Sequence, residues 1–128
     1  MKTVQIGTAL LSLLLAGPVL AEDGTPLRKA NGVLVDAKGM TVYTYDKDTA
    51  ASGKSACVEM CARNWPPVVA GDMRLDPPYS AITRDDGSKQ LAHDGKPLYT
   101  FIKDKKEGDR TGDGVGGVWH VVTDAKTK

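Results

Sequence analysis

The chain has 128 residues, with 17 basic against 16 acidic side chains and two cysteines. A polypeptide of this size buries one hydrophobic core, which excludes two independent enzymatic domains. The near-balanced, interspersed charge excludes the basic excess with which nucleic-acid binders meet phosphate.

Met1-Lys2 puts one positive charge at the amino terminus, and an apolar run follows from about Val4 to Ala16. Gly17 and Pro18 interrupt it, and Val19-Leu20-Ala21 closes on a small residue. That order predicts a signal peptide over residues 1–21 with cleavage after Ala21. The run is too short for a comfortable membrane span, which needs about 20 residues. Residues 22–128 are therefore expected as one exported domain, periplasmic or secreted, with no membrane span after cleavage. Without Lys2 the 17 basic residues fall to 16 and match the 16 acidic ones. No cysteine follows the cleavage site, so no lipid-bearing residue is expected there.

Residues 22–31 are polar and without periodicity, and read as an arm. Gly32 to Asp36 reads as a strand, Ala37-Lys38-Gly39 as a turn and Met40 to Tyr45 as a second strand, together a hairpin. Ser55 is placed to cap a short helix from about Ala56 to Arg63, which Pro66 and Pro67 stop. Val68 to Ala70 reads as a short strand and residues 71–79 as a linker. Further strands are expected at 80–84, 89–93, 97–102 and 118–123, with turns at Asp85-Asp86-Gly87 and Asp94-Gly95-Lys96. A charged, glycine-rich loop fills 103–117.

Two segments repeat one pattern. Val42-Tyr43-Thr44-Tyr45-Asp46-Lys47-Asp48 and Leu98-Tyr99-Thr100-Phe101-Ile102-Lys103-Asp104 both read apolar-Tyr-Thr-aromatic-x-Lys-Asp. A glycine-bearing turn precedes each, and a tryptophan follows each, Trp65 and Trp119. Such self-similarity marks an internal duplication, with repeat one at about 32–70 and repeat two at about 80–123. Residues two apart on a strand share a face. Tyr43 and Tyr45 then point one way, as do Tyr99 and Phe101, while Val42 and Leu98 point the other. Asp48 and Asp104 sit past the strand ends, where a carboxylate can accept from nearby backbone amides. These residues read as a folding signature in a shared core, in preference to an aromatic binding surface. The expected fold is mostly β: a small antiparallel β domain of two pseudo-symmetric repeats with one short helix.

The doubled Tyr-x-(aromatic)-x-x-Asp motif, with Cys57…Cys61…Trp65-Pro66-Pro67 and Gly117-Val118-Trp119-His120, resembles the secreted-repeat family of predicted lipoproteins. The resemblance covers nearly all of residues 22–128. It implies export and duplication; the family has no assigned activity to carry over. Many members look like lipoproteins, and this chain departs from them in lacking the lipid-bearing cysteine.

Candidate chemistry is sparse. Cys57 and Cys61, four apart on the expected helix, would share a face with Cα atoms about 6 Å apart, within reach of a disulfide. An exported protein usually oxidises such a pair. The alternative is a soft-metal or thiol-redox site. Reduced thiolates suit Cu(I), and Met60, His93 or His120 could add a third ligand. The spacing is similar to that of Sco-type copper proteins, without a surrounding thioredoxin-like pattern. His93 and His120 could ligate haem or a metal only if they converge. On a strand His120 faces away from Trp119. Asp109 to Gly114 has the oxygen-rich start of a calcium loop, but His120 stands where a bidentate Glu is wanted. Gly112 to Gly117 matches G-x-G-x-x-G but leads into a strand, not a helix. No nucleophile elbow is present.

The sequence thus points to an exported protein acting as a non-enzymatic binding or interaction module for a periplasmic protein or small ligand. A copper-handling or electron-transfer accessory using Cys57 and Cys61 is the alternative, and a periplasmic enzyme the second. No cofactor is assigned, with copper or haem as the alternatives.

Overall fold

The computed structural model describes residues 26–123; the expected signal peptide and its cleavage site lie outside them. Among the described residues the fold is mostly β, in small antiparallel sheets with one short helix. The elements are β1 (Arg28–Ala30), β2 (Val33–Val35), β3 (Tyr43–Tyr45), α1 (Met60–Asn64), β4 (Tyr79–Thr83), β5 (Lys89–His93), β6 (Lys96–Pro97) and β7 (Trp119–Val121).

Each repeat opens with a hairpin. β1 pairs with β2, Lys29 opposite Leu34, and β4 pairs with β5, Ala81 opposite Leu91. The β1–β2 turn is Asn31-Gly32, at φ 52° and 86°. Positive φ at both positions gives the mirror-image turn that matches strand twist, and Asn-Gly is its favoured pair. This corrects the reading of residues 22–31 as an arm: 28–30 are a strand. Asp94-Gly95 joins β5 to β6 in the same way, at φ 54° and 80°. The hairpin expected between 32–36 and 40–45 survives in reduced form. Asp36 N–H donates to Met40 O at 2.9 Å and Val42 N–H to Leu34 O at 3.1 Å, but the regular partner of β2 is β1.

The closing segment of each repeat completes the other repeat. β7, from repeat two, pairs with β3 of repeat one, Tyr43 opposite Val121 and Tyr45 opposite Trp119. Its continuation binds repeat one again, with Leu34 N–H donating to Val122 O at 2.8 Å. Residues 66–70 of repeat one do the same for repeat two. Leu91 N–H donates to Val68 O at 2.8 Å, Val68 N–H to Leu98 O at 2.9 Å and Thr100 N–H to Pro66 O at 2.9 Å. At the centre Tyr43 N–H donates to Tyr99 O at 2.8 Å, and Tyr99 N–H to Tyr43 O at 3.0 Å. This reciprocal pair of equivalent residues lies where a two-fold axis relating the repeats must pass.

Period-two alternation then sorts the core into two sides. Val42 and Leu98 join Leu27, Leu34, Ala70, Leu91 and Val122 in an aliphatic cluster. Tyr43 and Tyr99 join Trp65, Trp119 and Cys57 in an aromatic one. Burying each large apolar side chain contributes roughly 1.5–3 kcal/mol, and both clusters draw residues from the two repeats.

The helix is shorter than expected and starts later. α1 begins at Met60, after Glu59 at φ 56°, with no side-chain cap. Ser55 does not cap it because its hydroxyl is engaged elsewhere: Cys57 N–H donates to Ser55 Oγ at 3.1 Å, and Tyr99 Oη lies 2.5 Å away. The loop 103–117 contains a 3-10 turn at Val115–Gly117. The expected strand at 97–102 reduces to β6 and bridges from Tyr99 to Tyr43 and Pro67.

Candidate functional site

The repeat motif builds a layered aromatic assembly. Trp65 and Trp119 stack with ring centroids 3.7 Å apart and planes 2° apart. Phe101 stacks on Trp65 at 3.9 Å, and Tyr45 on Trp119 at 4.2 Å. Each tryptophan thus stacks on the motif aromatic of the other repeat. Tyr43 and Tyr99 meet the tryptophans of their own repeats edge-on, at 5.4 and 5.2 Å. Every aromatic residue except Tyr79 belongs to this cluster.

The tyrosine hydroxyls bond across the repeats. Tyr43 Oη donates to Asp104 Oδ2 at 2.6 Å, and Tyr99 Oη to Asp48 Oδ2 at 2.7 Å. The other oxygen of each aspartate holds the loop before the tryptophan. Thr111 N–H donates to Asp104 Oδ1 at 2.9 Å and Ala56 N–H to Asp48 Oδ1 at 2.6 Å. Burial, reinforced by the aspartate partners, pushes both tyrosine hydroxyls well above the ordinary phenol range. Burial also raises the Asp48 carboxyl, against the bonds from Ala56 and Tyr99. The assembly is packed and satisfied, and it positions loops.

One of those loops carries the disulfide. Cys57 and Cys61 are bonded, with Cα atoms 5.2 Å apart. Cys57 is fully buried in the aromatic cluster and precedes α1, so the pair spans the helix start and does not share one helical face. Its counterpart in repeat two is Gly112, where a Cβ would meet the Trp65 ring at 2.7 Å. Met60 is 63% exposed, whereas Cys57 is fully buried.

Beside the disulfide loop lies a groove of about 580 Å³, with walls from both repeats. Val58, Ala62 and Pro67 supply apolar surface from repeat one, and Thr83 and Arg84 line it from repeat two. Arg84 is half-buried. Its Nη2 donates to Cys57 O at 2.7 Å and its Nη1 to Gln90 Oε1 at 2.7 Å. Gln90, itself fully buried, passes the link to Leu98 O at 2.8 Å. The guanidinium is therefore bonded to neutral acceptors at the wall of the groove, with the Asp48 and Asp86 carboxylates near enough to feel its charge. Neither Arg84 nor Gln90 was expected as a site residue. Both sit outside the repeated motif, and only the hairpin register brings them to Cys57.

The histidines line a separate depression of about 320 Å³, together with Asp46, Asp94 and Lys96. His120 Nε2 lies 2.8 Å from Asp46 Oδ2, and His93 Nδ1 lies 3.6 Å from Asp94 Oδ2. His120 is exposed, while Trp119 beside it is buried. Cys57, Cys61 and Met60 do not line this depression. Among the described residues no three His, Cys, Asp or Glu side chains are grouped to hold a metal ion.

The remaining motifs are spent on local structure. Asp109 Oδ2 accepts from Lys105 N–H at 2.8 Å and Lys106 N–H at 3.2 Å, which holds its carboxyl below the ordinary carboxylate range. Asp113 Oδ1 accepts from Val121 N–H at 3.1 Å. Gly112 to Gly117 turns over the tryptophans, and its 3-10 turn opens no helix.

With this architecture in view, a family model described as a secreted repeat of unknown function matches the chain twice, over residues 19–69 and 80–123. The chain belongs to that family of exported, duplicated proteins. No curated protein and no solved structure matches it. Among the described residues no helix is long and apolar enough to cross a membrane.

Proposed function

We propose that the protein is a periplasmic, non-enzymatic binding module whose contact site is the groove between the disulfide loop and the β4–β5 turn. The observation that carries this is the placement of Arg84. A guanidinium held by two neutral acceptors is a rigid, oriented cation at the edge of an apolar surface, the mix that small-ligand sites use. The groove's volume falls in the range of such sites, roughly 300–1,000 Å³. Its position between two repeats is also a common one for them. Glu59, Asp85 and Asp86 at its border make the charge pattern mixed, which suits a polar or zwitterionic ligand or a short peptide.

The test is an amide-resolved titration of the labelled protein with the low-molecular-weight fraction of a periplasmic extract. Saturable shifts at Val58, Thr83 and Arg84, lost in a Val58→Glu variant, support the proposal. Saturation confined to the depression around His93 and His120, or no saturable shift anywhere, overturns it.

The copper reading based on Cys57 and Cys61 meets a pair already bonded to each other; a different copper site, on His93 and His120, has one observation of its own, the depression they share. Equilibrium dialysis against Cu(II) with His93→Ala and His120→Ala variants decides it. Binding lost in both variants favours it, and no retained metal rejects it.

A further inference from the structure

β4 is the outer strand of its three-stranded sheet, whose order is β4-β5-β6. Which of its backbone groups face outward follows from the register. Arg84 N–H donates to Ser88 O and Asp94 N–H to Pro78 O, both at 2.8 Å. Bonded pairs alternate with non-bonded ones along an antiparallel ladder, so Ile82 and Ser80 bond to β5. Ala81 and Thr83 turn their N–H and C=O groups away from it. Among the described residues nothing bonds to these groups. Ser80, Ala81 and Thr83 are all exposed.

An open edge is a template for another strand, and proteins ordinarily blunt it with charge, proline or shortness. This chain contains its own control. β1 is the equivalent edge of repeat one, since Lys29 lies opposite Leu34 as Ala81 lies opposite Leu91. β1 has three residues and exposes Arg28 and Lys29; β4 has five, none charged. One edge is guarded, and its pseudo-symmetric counterpart is not.

We infer that β4 is the edge through which this chain pairs with a second copy of itself. A two-fold axis through Ile82 sets Ala81 of one copy opposite Thr83 of the other, and the reverse. Every outward N–H and C=O of those two residues then finds its complement in the other copy, and none is left over. The two three-stranded sheets become one continuous sheet. Small Ser80 and Ala81 admit a neighbour at the usual strand spacing, about 4.8 Å. The same two-fold pairing at β1 would bring like charges together. The chain already makes this kind of junction internally, in the reciprocal bonds between Tyr43 and Tyr99. So short an edge buries less than the roughly 1,000 Å² of a stable interface, so the pairing is reversible and depends on concentration.

The test is sedimentation equilibrium of the purified protein up to about 1 mM, with amide exchange read on the same samples. The expected result is a monomer–dimer equilibrium in which exchange at Ala81 and Thr83 slows at least about tenfold as dimer accumulates. Ala81→Lys, which copies the guard at Lys29, should abolish the dimer while the near-ultraviolet dichroism of the stacked tryptophans stays unchanged. Ala81→Val, which adds no charge, should keep it. A monomer throughout, a dimer that survives Ala81→Lys, or exchange at Ala81 and Thr83 that ignores concentration overturns the inference. The exchange measurement on the unaltered chain decides the matter even if Ala81→Lys fails to fold.

Discussion

The Tyr43 hydroxyl donates to Asp104 at 2.6 Å, although the two residues belong to different repeats, and Tyr99 makes the same bond to Asp48 with the repeats exchanged. The motif that looks like a local signature in each repeat is completed by its twin. Tyr43→Phe should leave a buried oxygen of Asp104 without its donor, at a cost of about 1–3 kcal/mol. Urea unfolding checks the value. Adding Asp104→Ala to Tyr43→Phe should destabilise by less than the sum of the two single changes, because both remove the same bond.

The same hydroxyls set an alkaline limit. Both phenols are raised in the folded state above the ordinary value of 10.0. A group with a raised folded pKa keeps its full contribution below the unfolded value and loses it as pH rises. Stability should therefore decline as pH climbs above 10, and the share of tyrosinate absorbance due to Tyr43 and Tyr99 should appear together with unfolding. In Tyr43→Phe the decline should be shallower. Asp48 acts in the same direction at the acid end. Its raised carboxyl lowers stability as pH rises from the ordinary value of 3.8 through its folded pKa.

Gly112 lies against the stacked rings, where an added Cβ would meet Trp65 at 2.7 Å and Phe101 at 3.0 Å. Trp65 is clamped between Phe101 and Trp119 and has little room to yield. Gly112→Ala should destabilise by about 1–3 kcal/mol, the usual range for overpacking. The near-ultraviolet dichroism of the tryptophan pair should change with it.

Because each repeat supplies a strand to the other, neither should fold alone. Cleavage at a protease site placed within residues 71–74, an exposed stretch, should leave the two pieces associated and folded. Either piece purified under denaturing conditions should stay unfolded until mixed with the other. Circular dichroism of the separate and mixed pieces reads this directly. A folded single piece would contradict the exchange of closing segments.

The disulfide closes a small loop, with a sequence separation of 4. The chain-entropy relation gives about 2 kcal/mol for such a loop. The Cys57→Ser/Cys61→Ser variant should lose about that much or more, since Cys57 also fills space in the aromatic cluster. Intact mass and thiol titration of the unaltered protein should show no free thiol.

Much of this protein is legible in its sequence. The doubled motif establishes the duplication, and strand alternation alone separates Val42 and Leu98 from Tyr43 and Tyr99. The spacing of Cys57 and Cys61 puts a disulfide within reach. These are short-range matters, decided by side-chain period and chain geometry. The Asn31-Gly32 turn was also there to be read, but its first strand has only three residues, too few to show a period. The helix starts later than local capping rules predict because Ser55 has a partner in the other repeat, Tyr99.

Only the tertiary structure decides which repeat each closing strand joins. A strand's hydrophobic pattern states which face is buried and is silent on its neighbour, so pairing β7 with β3 required the whole chain. The same holds for the groove. Arg84 reaches Cys57 and Gln90 through hairpin register and strand exchange, neither of which leaves a mark in the local sequence. Duplication, alternation and the cysteine pair were determined by the sequence itself. The interlock of the repeats, the orientation of Arg84 and the open edge at Ala81 come from long-range packing, where each residue's partner is set by the fold.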